Sequence, residues 1–133
     1  MAISAQSSLP VAVAVASASP NEVTLVEETI TRRFTRENPE ILVADRAYDA
    51  DTLDERLRRQ AIQLVAPHRA GRVRARTQDG RELRRYKRRW KVERLFAWFQ
   101  NWRRPVTRYE QRAENFLGFV WLACIMLLLQ HFQ

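Results

Sequence analysis

Between Leu9 and Ala16 the chain alternates two kinds of apolar residue, with Val11, Val13 and Val15 on one side and Ala12, Ala14 and Ala16 on the other. A period of two is the mark of a strand, and the small face can lie under a helix. Ser17–Pro20 ends the run. Asn21 then offers an N-cap for a helix over about 22–35, with Val23, Val26, Ile30 and Phe34 as its inner stripe. Pro39 and the unbroken apolar run Ile41–Ala44 predict a buried, parallel strand. Asp51 or Thr52 opens a short helix that turns Leu53, Leu57 and Ala61 inward, and Ile62–Ala66 is a further strand stopped by Pro67. A loop over 68–81 follows, punctuated by Gly71, Asp79 and Gly80. A long helix over about 82–102, ended by Pro105, and a last helix over about 110–131 complete the chain. The order β-α-β-α-β-α-α predicts an α/β fold, with a small, mostly parallel sheet, flanking helices and two long C-terminal helices.

Composition changes this picture at three points. A chain of 133 residues that is 46% hydrophobic makes a single domain with a real core. Its net charge of +8 is segregated: residues 68–112 hold 16 of the 23 Lys and Arg and four of the 15 Asp and Glu. That stretch carries +12 and the remainder −4. Solubility alone does not ask for such segregation, whereas a polyanionic partner does, with nucleic acid ahead of an anionic membrane surface. The lone Cys124 allows no intrachain disulfide, and His68 and His131 offer no zinc cluster, which suits a reducing cytoplasm. Phe116–Leu129 is apolar throughout but short of the ~20 residues that span a bilayer, so it is expected to be a buried helix and no membrane partner is expected.

The candidate chemistry lies in Tyr86–Gln100, where one acid, Glu93, sits among cations and aromatics. On a 3.6-residue period Tyr86, Arg89, Glu93 and Gln100 share a face. Lys87, Lys91 and Arg94 form a basic stripe beside it, and Val92, Leu95, Phe96, Phe99 and Trp102 form the apolar one. An acid beside a phosphate-attracting surface fits a metal-dependent enzyme acting on DNA. A plainer reading pairs Glu93 with Arg89 or Arg94. Asp45 ends an apolar strand, where open α/β sheets present functional groups, although a turn or cap role suits it equally. Asp49 and Asp51 are candidate helix caps and are assigned no metal.

The spacing Y-x2-R-x3-E through Tyr86, Arg89 and Glu93 resembles the signature of DDE-type insertion-sequence transposases, with Gln100 where that family closes on Lys. Ile41–Asp49 resembles the family's strand ending in the second catalytic aspartate, here Asp45. Arg108-Tyr109-Glu110 and Ala113–Leu117 resemble its C-terminal helix. The resemblance covers about residues 9–132. It implies an RNase H-like core, DNA transposon ends as partner, and two Mg²⁺ ions held by carboxylates for phosphodiester transfer. Asp45 and Glu93 would be both catalytic and metal-binding. It also calls for a third acid near Ser4 or Ala5, and no acid occurs before Glu22. The expectation is therefore one partial catalytic domain over residues 1–133, incomplete at its start and inactive alone, with 1–8 disordered or a remnant of the first strand.

By the same resemblance Tyr86 and Arg89 touch phosphates near the acids. Arg72, Arg74, Arg76, Arg81, Arg84 and Arg85 look like sequence-independent phosphate contacts. Trp90 and Trp98 lie off the apolar stripe and could stack on a splayed base, while Trp102 is expected in the core. The leading expectation is a truncated transposase of the bacterial cytoplasm, at the nucleoid when bound to DNA. It would assemble with itself or with a full-length transposase. The alternative is a non-catalytic DNA-binding module that interferes with an intact transposase.

Overall fold

Four short strands and six helices make up a computed structural model that describes residues 1–5, 7–17, 20–73, 75, 80–81, 83–87 and 90–131. The strands form two pairs. β1 (Ala2–Ser4) and β2 (Pro10–Val13) make an antiparallel hairpin, with Ala2 opposite Val13 and Ile3 opposite Ala12. Its turn carries Ser8 in the left-handed region (φ 68°), wholly buried. Residues 2–4 are thus a paired strand. The second pair, β3 (Ile41–Val43) and β4 (Gln63–Val65), is parallel and in register, as continuous apolar runs favour. One pair in two is parallel, so the sheet content is mixed rather than mostly parallel.

Asn21 caps the first helical segment as its sequence suggests, its side-chain oxygen accepting from the Val23 N–H at 3.1 Å. A 3-10 turn at Glu22–Thr24 then leads into α1 (Leu25–Thr31). Val26 and Ile30 are buried, but Phe34 lies beyond the helix end and is 43% exposed. There its N–H donates to the Val11 carbonyl at 2.7 Å, so the chain after α1 runs beside β2 instead of continuing the helix. α2 (Asp51–Arg59) buries Leu53 and Leu57. Ala61 faces outward at φ 59°, closing α2 while the Ile62 N–H returns to the Leu57 carbonyl at 2.9 Å.

The expected long helix over 82–102 is described as α3 (Leu83–Tyr86) and α4 (Trp90–Phe99). Pro105 does not simply end it. It sits in the short α5 (Arg103–Val106), within the first turn, where its missing N–H costs no helical bond. α6 (Ala113–His131) is the one long helix among the described residues. It was expected to be buried, yet only Ala123, Cys124 and Leu127 are. Trp121, Leu122, Ile125, Met126 and Leu129 are exposed because the helix is apolar all round and only one side meets protein.

Two hydrophobic clusters result. Val26, Ile30, Leu53, Leu57, Ile62, Leu64 and Ala66 join α1 and α2 to the parallel pair. Val13, Leu95, Phe99, Ala123, Cys124 and Leu127 join α4 and α6 to the hairpin. Trp102 packs on this second cluster as expected, and so does Trp98, which removes most of its ring from a base-stacking role.

Candidate functional site

Asp45 follows β3 and caps a 3-10 turn at Arg46–Tyr48, its Oδ1 accepting from the Ala47 N–H at 2.8 Å. The turn aims Tyr48 at the start of the α1 segment, where the phenol donates to Glu22 Oε2 at 3.1 Å. Desolvation first, then the negative charge of Glu22 and its hydrogen bond, and finally Asp45, push the Tyr48 hydroxyl well above its ordinary value. Glu22 and Asp45 therefore flank one phenol, which holds its proton and acts as a donor. Nothing in the sequence pattern joined Glu22 to this turn, since the two lie on different elements.

Asp49, four residues on, is the hub of a second assembly. Its carboxylate meets His68 Nδ1 at 3.0 Å, the Arg69 N–H at 2.7 Å and Arg72 Nη1 at 2.9 Å. Arg72 also reaches Asp51 Oδ1 at 2.5 Å, and Arg69 donates to the carbonyls of Arg46 and Ala47. Burial opposes ionisation of Asp49, but the Arg69 N–H, the His68 ring and the Arg72 charge outweigh it and hold the carboxyl below its ordinary value. The hydrogen bond to Asp51, with the surrounding carboxylates, raises Arg72 in turn. Asp49 and Asp51 do not cap α2, whose N-cap is Ala50. Arg72, grouped above with the phosphate contacts, has 11% of its side chain exposed and spends its guanidinium on these two carboxylates.

Glu93 lies exposed in the first turn of α4, which Leu95 and Phe99 anchor to the second cluster. Beside it the exposed Arg94 reaches back to the hairpin turn. Its Nε and Nη2 both donate to Ser8 Oγ at 3.0 Å, and its guanidinium lies 4.7 Å from the Trp90 ring centre and 5.4 Å from that of Trp98. The stacked cation thus clasps the hairpin turn to α4. Lys91 lies 5.9 Å from the Trp90 ring. Arg84, Arg85 and Lys87 are exposed and Tyr86 is half-buried, while Arg74, Arg76 and Arg89 lie outside the described residues. Asp45 and Glu93 belong to elements packed on different hydrophobic clusters. Among the described residues, no group of three or more His, Cys, Asp or Glu could hold a metal ion. Among these residues Asp45 and Glu93 are not joined in such a group.

The assemblies that pattern reasoning missed, at Asp49 and at Ser8, join residues roughly twenty or more positions apart. The sole local hint was a pair of acids two positions apart, Asp49 and Asp51, facing an arginine-rich loop.

With this geometry in place, known proteins give a consistent answer. Residues 1–128 match the Transposase DDE domain family. The putative transposase for insertion sequence element IS402 of Burkholderia cepacia is 32% identical over 126 residues, an alignment covering 89% of this chain. The chain spans 56% of that relative's length. No solved structure matches. The chain belongs to the DDE transposase domain family of insertion sequences.

Proposed function

We propose that this chain binds transposon-end DNA as part of a transposase catalytic domain, with Asp45 and Glu93 as its acids, and that alone it does not cut the DNA. The observation that carries the reading is family membership across residues 1–128. A segment at +12 supports it, as do the exposed Arg84, Arg85 and Lys87 directly before the helix of Glu93. Divalent ions in such enzymes polarise the phosphoryl oxygens. Asp45 and Glu93 are the side chains that would face them. Two carboxylates fall short of that task, and Ser4 and Ala5, at the end of β1, bring no third. No chemical step is therefore assigned to metal in this chain alone. A full-length transposase co-assembled with it, on nucleoid DNA in the cytoplasm, would supply the cutting centre.

The test is a titration of a transposon-end duplex followed by Mg²⁺- or Mn²⁺-dependent nicking. The expected result is salt-sensitive binding, no nicking, and an unchanged affinity for Glu93→Ala. Nicking that Glu93→Ala abolishes would overturn the inactive assignment. Absence of binding at low salt would overturn the whole reading.

A further inference from the structure

The two strands of the parallel pair end level, Val43 opposite Val65, and the Ala44 N–H still donates to the Val65 carbonyl at 3.0 Å. The turn after β3 and the stretch after β4 therefore leave the pair side by side. The first carries Asp45 and the second carries Arg69. From within, the 3-10 turn at Arg46–Tyr48 is weakly closed. The Tyr48 and Asp49 N–H groups reach the Asp45 and Arg46 carbonyls at 3.2 and 3.3 Å, the long end of such bonds. Its shape, and with it the direction of the carboxylate that caps Ala47, needs a hold from outside. Arg69 brings three donors to it. Nε meets the Arg46 carbonyl at 3.1 Å, Nη2 meets the Ala47 carbonyl, and the main-chain N–H meets Asp49 Oδ2 at 2.7 Å.

We propose that Arg69 is a positioning residue for Asp45: its guanidinium, laid across two successive carbonyls, fixes the turn and thereby the aim of the acid. The proposal rests on the reading of Asp45 as one of the domain's acids. Arg69 is exposed and lies in the basic segment, so charge counting sends it to DNA phosphates. Here its Nε and Nη2 are already occupied by the turn. A lysine is no equivalent, because one ammonium is a point donor and not a planar fork. The bond to Asp49 comes from the Arg69 main chain, and the side chain lies outside the first cluster. Removing the guanidinium therefore loosens the turn while the core stays packed.

Amide hydrogen exchange of the full chain, resolved by NMR, tests it. The Ala47 N–H donates to Asp45 Oδ1 at 2.8 Å, so its exchange reports the cap directly. Arg69→Met is expected to speed exchange at Ala47 by roughly tenfold or more, a local opening. Exchange at Ala44 and Leu57 and the urea midpoint stay unchanged, because β3 and α2 keep their own bonds. Arg69→Lys restores part of the protection. Arg58→Met, which removes the same charge from an exposed site on α2, alters none of it. An Ala47 amide that is unprotected in the parent, or indifferent to Arg69→Met, would overturn the proposal. So would equal acceleration at Ala44, Leu57 and Ala47 with a lowered urea midpoint, which would make Arg69 a general support of the fold. A slope of log DNA affinity against log salt that flattens by about 1 in Arg69→Met would return this guanidinium to the phosphates. If the parent binds no DNA while Ala47 responds as expected, the DNA-binding reading fails and the hold of Arg69 on the Asp45 turn stands.

Discussion

Asp49 shows how a single carboxylate can organise a basic segment. Its side chain is 7% exposed, so ionisation is tolerable only because His68, Arg69 and Arg72 all converge on it. A carboxyl held below its ordinary value contributes stability that is complete above the unfolded-state value of 3.8 and is lost as pH falls through the lower folded-state value. Acid denaturation followed by tryptophan fluorescence is therefore expected to show a loss of stability below about pH 4 that Asp49→Asn removes. An unchanged acid limb in that variant would show that Asp49 is not the linked group. Arg72→Gln, which takes from a buried acid its arginine partner and leaves His68 and the Arg69 N–H, is expected to destabilise the chain without altering its DNA affinity per folded molecule. Sequence reading had sent Arg72 outward. Charge counting registers that a segment is basic but not which of its guanidiniums find an internal partner.

At the scale of elements, legibility followed amphipathicity. α2 has one apolar side, so Leu53 and Leu57 could be placed inward from spacing alone, and the Asn21 cap could be read from residue type. Both β3 and β4 declared themselves as short apolar runs, and the family resemblance placed Asp45 at the end of one. α6 failed the same treatment because its apolar residues encircle it, and periodicity cannot say which side is covered. The hairpin was half-read: β2 was visible as alternation, whereas three residues of β1 are too few to carry a pattern. How Asp45 and Glu93 stand to one another is tertiary information and was not in the pattern at all. The amphipathic reading of α2 has a direct check. Leu57, wholly buried between α2 and the parallel pair, is expected to cost about 2–5 kcal/mol when truncated to Ala, measured by urea unfolding. A loss under 1 kcal/mol would mean that the first cluster is not the packed core described here.

For the whole molecule the dominant property is the uneven charge, +12 over residues 68–112 against −4 elsewhere. If Arg84, Arg85 and Lys87 each neutralise one phosphate, replacing all three by Ala is expected to flatten the slope of log affinity against log salt by roughly 2–3. Arg72→Gln leaves that slope unchanged. A change in Arg72→Gln about one third as large as in the triple variant would mean that the net charge, not these side chains, sets the affinity.

The clasp between Arg94 and Ser8 joins residues 86 positions apart, so forming it closes most of the chain into a single loop. Closures of that span are entropically expensive and tend to follow local structure in time. Ser8→Ala should consequently accelerate unfolding in stopped-flow experiments while barely changing the refolding rate. The hairpin turn would then be the latch that sets how long the native molecule lasts, and not how quickly it is made.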